Sequence, residues 1–280
     1  MATASATAPA PASMTMTPGE PTSARRDGGS SSLTRILARY TPTTLAEMDK
    51  VALLNRFDTK YLLAASELLA LLPSLADEYD VLEVGGRRAH RYRTLYFDTP
   101  EFDLYQRHHQ DLAERHKVRS RQYLDSDLAF FEIKSKTTHG QTLKDRLPTD
   151  HALVELTPEA RALLTDRLPE DERQLEPKLW NDFVRITLVG KQRAERLTLD
   201  LGIQFDYEGR TAILPGVAIC ELKQGSAGQT SAFARRMEQL GVEPTSISKY
   251  CAGVALLVPT APQETYQEKL REIERVARGA

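Results

Sequence analysis

Only two cysteines occur in the 280 residues, Cys220 and Cys251. Their spacing supports neither a disulfide framework nor a cysteine metal site, so a reducing, cytoplasmic setting is expected. Charge of one sign is also missing. The 37 basic and 39 acidic residues leave a net charge of −2, too little for a global field that would draw nucleic acid. No apolar run approaches the roughly 18 residues of a membrane-spanning helix; the best, Cys251 to Val258, is far shorter. Internal repeats are lacking. Residues 1–32 are rich in Ala, Thr, Ser, Pro and Gly, without a basic start or an apolar h-region. They read as a disordered tail rather than a signal peptide. The length suffices for one large domain with an ample core.

What the chain has is alternation. Arg115-His116-Lys117-Val118-Arg119-Ser120-Arg121-Gln122-Tyr123 is followed by Phe130-Phe131-Glu132-Ile133-Lys134-Ser135-Lys136. Side chains two apart on a strand share a face. Lys117, Arg119 and Arg121 therefore point one way. Glu132, Lys134 and Lys136 share a face, with Phe131 and Ile133 opposite. Similar strands are expected over 55–63, with Arg56, Asp58 and Lys60 on one face, over 183–189 with Arg185, over 195–205 with Arg196 and Asp200, and over 217–224 with Glu221 and Lys223. Residues 80–84 and 90–98 read as a hairpin about Gly85-Gly86. Helices are expected over 33–40, 45–54, 101–112, 247–258 and 263–278, and after a Ser66 cap and a Thr230 or Ser231 cap. Residues 150–180 read as a helical insert.

About eight strands are thus expected, six of them with charge on the same alternate positions. Two arrangements fit: a sheet with a solvated charged face, or a barrel with a charged lumen. A lumen would hold Lys60, Arg119, Arg121, Lys134, Arg185, Arg196 and Lys223, with Lys136 beyond, against only Asp58, Glu132, Asp200 and Glu221. Two cations ~4 Å apart at an effective dielectric of ~20 repel by about 4 kcal/mol. Such a lumen calls for a polyanion, and a polyphosphate chain suits bidentate arginines. The minority carboxylates would hold Mg²⁺ or Mn²⁺ together with phosphate oxygens.

Arg56-Phe57-Asp58-Thr59-Lys60-Tyr61-Leu62, Leu95-Tyr96-Phe97-Asp98-Thr99-Pro100, Lys117-Val118-Arg119-Ser120-Arg121 and Phe131-Glu132-Ile133-Lys134 resemble the VTC domain. This is the polyphosphate polymerase domain of the vacuolar transporter chaperone family, in the triphosphate tunnel metalloenzyme (CYTH-like) superfamily. The resemblance runs over residues 33–258 and takes in Arg185, Arg196-Leu197-Thr198-Leu199-Asp200, Glu221-Leu222-Lys223 and Ser248-Lys249-Tyr250. It implies an α+β fold, an eight-stranded antiparallel β-barrel with flanking helices; beyond it, residues 259–280 read from their own pattern as an amphipathic helix. It implies phosphate binding by Lys60, Arg119, Arg121, Lys134, Arg185, Arg196 and Lys249, and a divalent metal, Mn²⁺ or Mg²⁺, on Glu221. The implied reaction moves the γ-phosphate of a nucleoside triphosphate, ATP by expectation, to a growing inorganic polyphosphate.

Two departures stand out. Asp58 replaces the family's usual Glu, and Ser246 falls where a second C-terminal tunnel lysine is expected. With no membrane helix, polymer translocation would need a separate membrane partner.

The bland readings stand beside these. Arg119 and Arg121 make surface ion pairs on the simplest view, and Glu221 merely partners a tunnel cation. Asp58, Glu132 and Asp200 read as partners of tunnel cations before they read as ligands. Lys223 sits evenly between rim and phosphate contact. Lys144 and Arg146 read as a solvated basic turn, His108 and His109 as polar helix residues, and Trp180 and Tyr250 as packing. Two other functions use the same residues: a tripolyphosphate or organic triphosphate hydrolase, and a non-catalytic polyphosphate-binding module.

Overall fold

The computed structural model describes residues 27–50, 57–138, 141–225, 231–262 and 264–279. Arg56 and Thr230 lie outside the described residues, as do positions 1–26 of the expected tail. The chain is α+β, with one eleven-stranded sheet and helices packed on it. Eight strands form the main path: β2 (Phe57–Ala64), β11 (Val217–Gln224), β9 (Glu195–Tyr207), β8 (Glu176–Gly190), β4 (His90–Asp98), β5 (Arg115–Tyr123), β6 (Leu128–Lys136) and β7 (Thr142–Thr149), hydrogen-bonded in that order. Every pair on this path is antiparallel.

The closed eight-stranded barrel is not what forms. The path ends at β2 and β7, which do not pair, and three short strands join off it. These are β1 (Pro42–Thr43), β3 (Tyr79–Leu82) and β10 (Arg210–Ile213). Both ends have reasons to stay open. The Lys60 carbonyl on β2 is taken by the Thr245 N–H at 2.8 Å. β7 carries Pro148, which has no N–H to give to a ladder.

Local readings shift in similar ways. β3 pairs with β1 in parallel and with β8, not with β4, so the expected hairpin is reduced to one antiparallel bridge about Gly85-Gly86, in which Val84 and Arg87 exchange both backbone hydrogen bonds at 3.0 Å. Both glycines still turn with positive φ. The helical insert holds only α5 (Pro158–Arg167) and one 3₁₀ turn, because β8 begins at Glu176 and crosses a bulge near Asp182. Pro177 and the charges around it hid that start. The helix after β2, α3 (Ala65–Leu71), has Ala64 at its N-cap position. The Glu67 carboxylate accepts the Ala64 N–H at 3.0 Å, so Ser66 is not the cap. Ser231 caps α6 (Ala232–Gln239) by accepting the N–H groups of Phe233 and Ala234.

Alternation sorts the strands into two faces. Leu197 and Leu199 of β9, with Ile186 and Leu188 of β8, are buried against Leu68, Leu72, Phe233 and Met237. Phe131 and Ile133 of β6 and Val118 of β5 pack with Leu164 of α5. A third cluster seats α7 (Lys249–Leu257) on Leu179 and Phe205. Gly253 makes that contact possible, since a Cβ there would stand 2.5 Å from Leu179 Cδ2 and 2.7 Å from Phe205 Cδ1. α3, α5 and α6 thus cover one side of the curved sheet, while α7 packs on the other, on Leu62, Tyr96 and Ile219, which share their face with the charged positions Lys60, Arg119 and Glu221. The final helix, α8 (Glu264–Ala277), lies against α7 and β2.

Candidate functional site: a cationic cavity in the sheet

The charged face lines a cavity of 580 Å³. Among the described residues, twelve Lys and Arg side chains line it against three carboxylates. The ladder register explains how. Lys117 on β5, Lys134 on β6 and Lys144 on β7 are cross-strand neighbours in one row. Arg119, Glu132 and Arg146 form the next. Across the sheet, Lys60, Glu221 and Thr198 form one row, and Asp58, Lys223 and Arg196 another. Curvature then brings β2 towards β5 and β6, so that Lys60 repels both Lys117 and Lys134.

Carboxylates fix some of these cations. Arg119 donates to Glu132 Oε2 at 2.8 Å from Nε and from Nη2, and Lys144 closes on the other oxygen. Glu132 is only 1% exposed. Burial opposes its charge, but Arg119, Arg121 and Lys144 win and hold its carboxyl well below the usual range. Asp200 likewise accepts two hydrogen bonds from Arg185 and one from Lys249. Burial pushes its pKa up, and the two cations bring it down to about 2.

Other cations have no such support. Among the described residues Lys60, Lys117 and Lys134 make no ion pair. Lys60 Nζ donates to the Ile247 carbonyl at 2.7 Å, and Lys117 Nζ to Ser248 Oγ at 2.9 Å. Burial, then mutual repulsion among the lysines, lowers Lys117 to about 7 and Lys134 to about 8. Lys249 and Lys144 also fall to about 8, through burial first. Arg121 is buried without an ion pair among the described residues. Its guanidinium lies 5.5 Å from the Tyr92 ring centroid and 5.9 Å from that of Phe183.

Ten of the residues anticipated for the site line the cavity: Lys60, Arg119, Arg121, Lys134, Arg185, Arg196, Lys223, Lys249, Asp200 and Glu221. Asp58 and Glu132 do not; each stands behind a cation, Asp58 on Lys223 and Glu132 on Arg119. Ser246 is exposed and is not part of the lining. Lys117, Lys144 and Arg146 do line the cavity. Lys117 shares its face with Arg119 and was legible on that ground. Lys144 and Arg146 were read as a turn because β7 was not recognised as a strand. The aromatic floor of Tyr92 and Phe183 left no signal in the charge pattern.

No three His, Cys, Asp or Glu side chains cluster as a metal group among the described residues. Two carboxylates nevertheless converge on one cation: Glu221 Oε2 lies 2.8 Å and Asp58 Oδ2 2.9 Å from Lys223 Nζ. Burial opposes the charge on Glu221, but Lys223 and Lys60 keep its carboxyl well below the ordinary range. Carboxylate oxygen donors in this number suit Mg²⁺ or Mn²⁺, which take one or two carboxylates and complete their shell with phosphate oxygens.

The pattern of the VTC domain family matches residues 55–258. This chain belongs to the VTC domain family. The matched span of this VTC domain holds every cavity residue except Leu45 and Met48. A comparison with curated proteins gives no match. Among solved structures, the chain is similar to a candidate adenylate cyclase from Bacillus halodurans, at 16% identity and a TM-score of 0.44, over 68% of this chain and 92% of that one. It is also similar to a candidate adenylyl cyclase from Hippeastrum described with a dominant triphosphatase activity, at 17% identity and a TM-score of 0.45, over 73% and 99%. Likeness at these scores carries no functional argument.

Proposed function

We propose that this VTC domain is a metal-dependent polyphosphate polymerase, with its catalytic unit in residues 33–258. It would transfer the γ-phosphoryl group of a nucleoside triphosphate, ATP by expectation, to the end of an inorganic polyphosphate chain. The observation that carries this reading is the cavity wall, with twelve cations against three carboxylates and three lysines without an ion pair among the described residues. Such a wall is strained by its own repulsion and relieved by a linear, densely charged anion. Membership of the family favours a phosphate chain as that anion.

The chemistry needs no protein nucleophile. A terminal oxygen of the chain forms a bond to the γ-phosphorus as the bond to the β,γ-bridging oxygen breaks. The nucleoside diphosphate departs with that electron pair. The protein's task is to place the two phosphates in line and spread the charge of the transferred group. Arg119 and Arg185 are held in place by Glu132 and Asp200, so they meet phosphate oxygens without reorganising. Arg121, Arg196, Lys60, Lys134, Lys223 and Lys249 neutralise the chain, and Lys117 extends the row. Glu221, with Asp58 beside it, would hold the divalent ion, which when bound adds neutralisation of the phosphate oxygens. A hydrolase would use the same wall and differ only in water replacing the chain end. Moving polymer across a bilayer would fall to a separate membrane partner; no helix among the described residues is long and apolar enough to cross one.

The test is incubation of the purified protein with ATP and Mn²⁺, and separately with tripolyphosphate. Long chains on a gel, formed with release of ADP, are expected. Phosphate release without chains assigns the hydrolase, and binding without turnover assigns a binding module.

A further inference from the structure

Three cavity lysines meet a single short segment. Lys60 Nζ donates to the Ile247 carbonyl, Lys117 Nζ donates to Ser248 Oγ, and Lys249 follows directly and reaches Asp200. The segment itself is held from outside the cavity. The Tyr266 hydroxyl on α8 accepts the Ser248 N–H at 3.2 Å and donates to the Ser248 carbonyl at 2.9 Å. α8 lies beyond residues 55–258, the span matched by the family pattern.

The Ile247–Ser248 peptide couples the two sides. Its carbonyl receives Lys60 and its N–H is received by Tyr266. A peptide unit is planar and rigid, so fixing its N–H fixes the direction of its carbonyl. Ser248 also caps α7, its Oγ taking the Cys251 N–H. Rotation of this residue would therefore shift the anchors of Lys60 and Lys117 together. Neither lysine makes an ion pair among the described residues.

We propose that Tyr266 is a positioning residue of the phosphate site, acting through the Ile247–Ser248 peptide on Lys60 and through Ser248 on Lys117. Its ring is buried against the cluster around α7. The hydroxyl therefore separates from the packing in a Tyr266→Phe variant, which keeps every ring contact. The proposal rests on the cavity being a phosphate site, and the experiment keeps the two apart.

The affinity for tripolyphosphate is measured by calorimetry for the full chain, Tyr266→Phe, Lys60→Ala and the double variant, with thermal melting of each. Loss of the hydroxyl is expected to weaken binding about fivefold, the scale of one hydrogen bond. In the Lys60→Ala background its effect is expected to shrink to less than half, since the two act through one peptide. Wild-type affinity in Tyr266→Phe overturns the proposal, whether or not the melting point falls. Independent, multiplying effects of the two substitutions also overturn it and leave Tyr266 a packing residue. Absence of tripolyphosphate binding by the unaltered protein removes the phosphate reading itself, and this proposal with it.

Discussion

Arg185 grips Asp200 with two hydrogen bonds, Nε to Oδ1 at 2.6 Å and Nη2 to Oδ2 at 2.7 Å. Lys249 closes on the same carboxylate. One acid thus carries two buried cations, which makes it a structural keystone of the wall and a poor site for a metal. Asp200→Ala is expected to destabilise the fold by about 3–5 kcal/mol, the cost of leaving buried charge unpaired. Asp200→Asn, which keeps hydrogen-bond acceptance, should cost less. Urea denaturation measures both, and an alanine variant as stable as the parent would refute the assignment.

Arg119 and Arg121 should separate activity from stability. Arg119 is paired with Glu132, so Arg119→Met leaves that buried carboxylate with Lys144 as its one ion-pair partner among the described residues and lowers the melting temperature as well as turnover. Arg121 lies on Tyr92 and Phe183 without an ion pair among the described residues. Arg121→Met should leave the melting point unchanged or raise it, while turnover falls about 10²-fold or more. Equal melting behaviour of the two variants would contradict the pairing.

Glu221 is proposed above to hold a metal and not merely to pair with Lys223. Glu221→Gln is therefore expected to abolish Mn²⁺-supported turnover. In EDTA the same variant should bind tripolyphosphate as tightly as the parent or tighter, because a negative charge has left the wall. Turnover retained in Mn²⁺ would exclude the metal role.

The crowded lysines set opposite pH trends for stability and binding. Lys117 falls to about 7, and Lys134, Lys144 and Lys249 to about 8, from an ordinary value of 10.5. Between pH 7 and 8.5 the unfolded chain holds more protons on these groups than the folded one. Their contribution to the stability of the free protein therefore rises with pH. Phosphate binding needs the charged form, so affinity for tripolyphosphate should fall over the same range, with proton uptake on binding near pH 8. Calorimetry in buffers of different ionisation enthalpy reads the protons directly, and zero uptake would refute this account.

Gly253 links the core to the site. Gly253→Ala drives a methyl into Leu179 and Phe205, and overpacking of this kind costs about 1–3 kcal/mol. Because α7 carries Lys249 at its first turn, tripolyphosphate affinity should fall too. A variant with lowered stability but unchanged affinity would show that α7 can shift without moving Lys249.

Much of the wall was legible because strand alternation is a local property. Arg119, Lys134, Arg196 and Glu221 take their face from the backbone pleat, and apolar neighbours such as Ile133 and Leu197 mark the opposite side. Lys144 and Arg146 were not legible, because β7 is an edge strand whose pattern, with exposed Leu143 and with Pro148, resembles a loop. The hairpin expected at Gly85-Gly86 stops at one bridge, Val84 to Arg87, for a related reason. Glycines mark a turn, but the partner of β3 is chosen by β8, about a hundred residues downstream.

From the sequence alone came the set of charges, their common face and the resemblance to the VTC domain, all of which depend on residues close together along the chain. The tertiary structure alone decided that the sheet stays open, and that Asp58 and Glu221 meet at Lys223. It also decided that Lys60, Lys117 and Lys134 crowd one another, and that Tyr266 steadies the segment beneath them. These relations join residues up to nearly two hundred positions apart. Strand order and sheet curvature set them, and neither is written in the period of any single strand.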